Sequence, residues 1–131
     1  MSTDVVNALL DALITGLKDY TTDERGDVGS WIRIACIQGL TDIVGLLFRA
    51  FLLGSNSIIS VAAQLQSYLP SEKFHVIVAG ILKQGMEKLD NVRQEAGLCV
   101  MKLLNMNLPD GAALNRWRLH GEGLLRQLFL A

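Results

Sequence analysis

Asp23-Glu24-Arg25-Gly26-Asp27-Val28-Gly29-Ser30-Trp31-Ile32-Arg33 is an acidic, glycine-punctuated turn that runs directly into a long apolar segment. Thr21 to Gly26 has no hydrophobic periodicity and supplies Thr, Asp and Gly, residues that cap backbone groups or permit unusual backbone angles. Asp27 is placed to act as a helix N-cap, its carboxylate accepting from backbone N–H groups two or three residues on, with its charge favoured by the helix dipole. The following segment, from Val28 to about Leu53, has apolar residues at Trp31, Ile32, Ala35, Cys36, Leu40, Ile43, Val44, Leu47, Phe48, Phe51 and Leu52. That is more than one stripe, so the helix is expected to be covered on several sides, with Trp31 in the core. Gly39 and Gly45 mark places for a bend or a close helix crossing.

Outward from this helix the pattern stays helical. Val6, Leu9, Leu10, Leu13, Leu17 and Tyr20 recur at three- and four-residue steps before the turn. After Gly54-Ser55-Asn56-Ser57 comes a shorter amphipathic stretch, Ile58, Ala62, Leu65 and Leu69, which Pro70 terminates. Ser71 then reads as an N-cap. Phe74, Ile77, Val78, Ile81, Leu82, Met86 and Leu89 share one face, and Asp90 caps a further helix carrying Val92, Ala96, Cys99, Val100, Leu103 and Leu104. Beyond Asn105 to Gly111 the tail offers Leu114, Trp117, Leu124, Leu125, Leu128 and Phe129, with Gly121 and Gly123 between them. No window alternates with the period of a half-buried strand.

Composition narrows the function. The 131 residues are 50% apolar, 6% aromatic and 19% charged, which describes one aliphatic helical domain and excludes a disordered tail. Twelve basic against thirteen acidic side chains, with no run of like charge, offer no electrostatic footprint for nucleic acid or an anionic membrane. The charge is uneven: residues 1–56 hold seven acids and four bases, residues 57–131 six acids and eight bases. Cys36 and Cys99 sit inside helical patterns without CxxC spacing and read as reduced core residues of a cytosolic protein. Met-Ser-Thr-Asp lacks the basic start of a signal peptide, and Arg33, Gln38, Asp42 and Arg49 interrupt the one long apolar stretch, so neither secretion nor a membrane span is expected.

The turn also has an echo. Asp27, Ile32-Arg33, Cys36 and Leu40 align with Glu87, Val92-Arg93, Ala96 and Val100, each 60 residues later. The pattern resembles the HEAT repeat, in which an acid near the turn and an Arg in the second helix bond to neighbouring units. A separation longer than the roughly 40–47 residues of such a unit is explained by an inserted helix. The expected architecture is therefore an all-α, HEAT/armadillo-like α-solenoid fragment: hairpin one at about 4–53, an inserted helix at about 57–69, hairpin two at about 72–106 and a helical tail at about 112–131. Two such units are fewer than a solenoid usually needs, so the chain reads as a piece of a longer array whose end helices could self-associate.

Tyr20 to Arg33 as a whole resembles a segment of the tubulin-folding cofactor D family. The resemblance extends through Ile81 to Leu103, where Glu87-Lys88-Leu89-Asp90-Asn91-Val92-Arg93-Gln94-Glu95-Ala96 is similar to that family's C-terminal region, and through Gly121 to Phe129. It implies a HEAT-like segment of a cytosolic chaperone that holds β-tubulin, works with the other tubulin-folding cofactors and an Arf-like small GTPase, and assembles or dissociates the tubulin dimer at the microtubule cytoskeleton. Residues 41–70 depart from the resemblance.

Two roles are open for the turn. Asp23, Glu24 and Arg25 can form a recognition surface on a helical scaffold, or the turn can simply cap a helix and pair internally. Trp117 is either a docking aromatic or a clamp on the last hairpin. Asp27, Arg33, Glu87 and Arg93 read as joints between helices. His75 and His120 have no partner at zinc-ligand spacing, and no phosphate loop, nucleophile elbow or dinucleotide fingerprint is present. No cofactor and no catalysis are expected. A scaffold of another assembly or transport pathway is the alternative, and a metal-binding or catalytic helical bundle a weaker one.

Overall fold

Five α-helices and one 3₁₀ segment account for the regular structure of the computed structural model, which describes residues 2–22, 24, 26–54, 57–87, 90–106 and 112–118. Helix α1 (Thr3–Gly16) starts where the Ser2 hydroxyl accepts from the Val5 N–H at 3.2 Å, and Asp4 places a negative charge at the positive end of its dipole. It buries Val6 and Leu10, with Leu17 just beyond. Helix α2 (Gly29–Gly54) carries its inner line through Arg33, Ile37, Leu40, Val44 and Phe48, at three- and four-residue steps, and is packed on α1, α3 (Ile58–Tyr68) and α5 (Asp90–Leu104). By length and composition α2 could cross a membrane; in the fold it is the central helix, with Arg33 and Thr41 buried along that line.

The direction of packing follows from pairs of contacts. Gly16 lies against Cys36, where an added Cβ would sit 2.3 Å from the Cys36 Sγ, and Leu13 reaches Gly39, so α1 and α2 run antiparallel. Helix α4 (Ser71–Gln84) packs on α5 after a short connection, making the second hairpin. Along the chain, Asp11 meets Lys73 and Leu17 meets Gly80 and Gln84, while Thr41 meets Cys99 and Gly45 meets Met106. The first helices of the two hairpins therefore lie side by side in one direction, and so do the second helices. Such stacking buries the apolar face of each hairpin on the next and is the HEAT-like arrangement expected from the repeat.

Several local expectations change. Trp31 is 59% exposed, not in the core. At about 100° per residue, two positions separate side chains by roughly 200°, so the inward setting of Arg33 turns Trp31 outward. Pro70, not Ser71, occupies the N-cap position of α4, and Ser71 is its first helical residue, without a side-chain cap bond. Helix α4 ends at Gln84, before Met86, which is 85% exposed, and Leu89 lies outside the described residues. Helix α3 does end before Pro70, as expected, with Ser57 as its N-cap. Of the glycines in α2, Gly45 seats the Met106 methyl and Gly39 takes Leu13 at ordinary distance; the tightest crossing is at Gly16, which the apolar spacing did not single out. Leu124, Leu125, Leu128 and Phe129 lie outside the described residues.

The two tryptophans differ in exposure, since Trp117 is 2% exposed. Iodide is expected to quench one fluorescent component and spare the other, and Trp31→Phe to remove the quenchable one; equal quenching of both would place Trp31 in the core after all.

Candidate functional site

The turn ahead of α2 is closed by backbone geometry before any side chain acts. Gly26 adopts φ 111°, a left-handed backbone suited to glycine, and the Gly29 N–H donates to the Thr21 carbonyl at 2.8 Å. Gly29 must also lack a side chain, because a Cβ there would lie 2.4 Å from the Asp19 carbonyl oxygen. That close approach brings the end of α1 over the start of α2. The Asp27 carboxylate accepts from the Ser30 N–H at 3.1 Å, three residues on, which is the capping bond its position suggested.

Arg33 fills the space so created and is wholly buried. Its Nη2 donates to Asp27 Oδ2 at 3.0 Å, and its Nη1 to Asp27 Oδ1 at 3.3 Å and to the Asp19 carbonyl at 2.8 Å. Its Nε donates to Gln84 Oε1 at 3.1 Å, so α4 is tied into the same knot. The guanidinium carbon lies 4.3 Å from the centre of the Tyr20 ring, a cation–π contact. Gln84, itself buried, donates through Nε2 to the Leu17 carbonyl and the Tyr20 hydroxyl. Among the described residues no buried side-chain nitrogen or oxygen lacks a hydrogen-bond partner, as a buried polar group requires.

The charges are mutually adjusted. The hydrogen bond from Arg33, and then its charge, hold the Asp27 carboxyl below its ordinary value of 3.8 against some burial. Asp19 is lowered chiefly by bonds from Thr21, with Arg33 adding to the effect. Burial pushes both thiols, Cys36 and Cys99, above their ordinary values, so neither is set up as a nucleophile. Among the described residues no three His, Cys, Asp or Glu side chains converge to hold a metal ion.

The repeat partner does not reproduce this joint. Arg93 is exposed, donates to the Glu87 backbone carbonyl at 3.2 Å and pairs with Asp90 one turn earlier. Among the described residues its bonds stay within its own turn and do not bridge hairpins, so the joint role read for Glu87 and Arg93 is corrected to a local one. Trp117 is buried and its indole Nε1 donates to the Leu69 carbonyl at 2.9 Å, which seats the 3₁₀ segment Ala112–Trp117 on the end of α3. That is the clamp geometry, not an exposed docking ring. Glu24 is exposed at the tip of the turn; Asp23 and Arg25 lie outside the described residues. Gln84, Asp19 and Tyr20 join the site without having been singled out: Gln84 was one polar side chain near the end of an amphipathic pattern, and only its burial reveals it.

Arg33→Ala should destabilise the chain by about 2–4 kcal/mol, from a cavity plus the stranded Gln84 and Asp19 acceptors, against less than about 0.5 kcal/mol for Arg93→Ala. Equal urea midpoints for the two variants would remove the joint. A carboxylate whose value is lowered by folding adds stability above its unfolded value, and that stability is lost as pH falls through the folded value. Stability should therefore drop below pH 3.8, and Asp27→Asn should flatten this acid limb while lowering the midpoint at neutral pH. An unchanged acid limb in Asp27→Asn would dissociate it from the Asp27–Arg33 pair.

No solved structure matches the chain. The profile of the family described as "Tubulin folding cofactor D C terminal" matches residues 75–130, from the first half of α4 through α5 and the 3₁₀ segment into the tail. The matched span includes the Ile81 to Leu103 and Gly121 to Phe129 blocks whose similarity the sequence suggested, and it leaves out Tyr20 to Arg33, the block that first drew attention to the family. Over residues 75–130 the chain is similar to the tubulin folding cofactor D C-terminal family.

Proposed function

We propose that the chain is a non-catalytic, protein-binding segment of a tubulin-folding chaperone, one that helps to hold β-tubulin and to assemble or dissociate the tubulin heterodimer. The observation that carries this reading is the family match over residues 75–130. Its working surroundings are the cytoplasm and the microtubule cytoskeleton, with the other tubulin-folding cofactors and an Arf-like small GTPase as further partners. The fold supports a binding role in physical terms: stacked hairpins cross-linked by a buried Arg33 offer a stiff surface, and a stiff surface loses little freedom on binding.

Within this reading the exposed Glu24, with its sequence neighbours Asp23 and Arg25, is the contact whose charges orient a partner. Trp117 contributes by holding the last segment on α3, not by touching the partner. The alternative of a helical scaffold in another pathway draws on the hairpin stack alone, a geometry that many assemblies share.

Purified tubulin is expected to be retained by the immobilised chain, and the combined Asp23→Ala, Glu24→Ala and Arg25→Ala variant to retain about tenfold less with its circular dichroism unchanged. Retention unaffected by the variant would take the turn out of the interface. Failure of the parent chain to retain tubulin would remove direct binding by this segment.

A further inference from the structure

A cleft away from the turn lies between the C-terminal halves of α2 and α5, with a volume of about 420 Å³. This is within the roughly 300–1,000 Å³ typical of ligand clefts. Its floor is apolar: Phe48, Leu52 and Met106 line it, and Gly45 has no side chain, which lets the Met106 methyl lie where a Cβ would come within 2.9 Å. The mouth is cationic. Arg49 on α2 and Lys102 on α5 approach it from opposite walls, both exposed.

Neither cation has an ion pair or hydrogen bond among the described residues, whereas Arg33, Lys73 and Arg93 each hold an acid. One acid, Asp42, lines the same cleft, so the charge of the lining is positive by one. Asn105, also at the rim, offers an amide that can both donate to and accept from a peptide backbone. An apolar floor, an amide at the rim and two uncommitted cations on facing walls match one kind of ligand. It is a peptide whose apolar side chain is flanked by carboxylates.

We propose that this cleft docks an acidic segment of a partner protein, an apolar side chain anchored between α2 and α5 while flanking carboxylates pair with Arg49 and Lys102. The site goes beyond the tubulin reading and does not rest on it, since the recognition is by charge and shape.

The test uses the full chain and a fluorescein-labelled peptide of glutamates around a central Leu-Phe pair. Anisotropy should show saturable binding that weakens as salt is raised. Arg49→Glu with Lys102→Glu should weaken it at least about tenfold. The peptide with Gln for Glu, or with Ser for Leu-Phe, should bind more weakly than the parent. A photoreactive group in place of the central Phe should cross-link to Phe48, Leu52 or Met106. Equal binding by the Gln peptide, unchanged affinity in the folded double variant, cross-links elsewhere or no saturable binding overturns the proposal. A concentration-dependent dimer abolished by the double variant would give the cleft to a second copy of the chain, and overturns it too. Because the probe is synthetic, these outcomes are separable from success or failure of tubulin retention.

Discussion

A guanidinium with no exposure to water is tolerable only where its charge and its donors are met inside the protein, and Arg33 meets both conditions at once. Asp27 supplies the opposite charge, the Asp19 carbonyl and Gln84 take further donors, and the Tyr20 ring covers the guanidinium face. These partners come from the end of α1, the turn, and the last residue of α4. A single side chain on α2 thus fixes three elements, and the relative setting of the two hairpins depends on it. The interaction is directional, which apolar packing is not. It specifies one register among the several that aliphatic faces alone would accept.

Around this knot the rest of the core is ordinary aliphatic packing. Ile37, Leu40 and Val44 from α2, Ile77 and Ile81 from α4 and Val92, Cys99 and Val100 from α5 are buried together. The two ends of the stack differ in chemistry. One carries the polar joint and the exposed Glu24; the other opens the apolar-floored cleft beneath Arg49 and Lys102. A helical stack offers partners both ends and both faces, and the placement of charge at each end governs which partner chemistry is accepted.

The relation between family and fold is uneven along the chain. The matched segment, residues 75–130, contains most of the second hairpin, whereas the joint around the buried Arg33 is built by the first hairpin and bonds to the matched segment through Gln84. The first hairpin therefore acts on the second through a physical bond that its sequence does not advertise. Arg93, placed in the matched segment at the position equivalent to Arg33, pairs among the described residues with its own turn. Sequence equivalence of two arginines did not carry equivalence of role, because burial and not spacing decides what a guanidinium must bond.

Periodicity and breakers in the chain determined its helical class, the stop before Pro70, the Asp27 cap and the hairpin order, because these depend on side chains within a turn or two of one another. Ile37, Leu40 and Val44 fall inward as their spacing requires. The facing of Trp31, the burial of Gln84 and Trp117, the release of Arg93 to solvent and the opening of the cleft were decided only by the tertiary structure. Each depends on which helix comes to lie against which face. That choice is made by contacts between residues far apart in the chain, such as Arg33 with Gln84 and Trp117 with Leu69, and no local pattern encodes it.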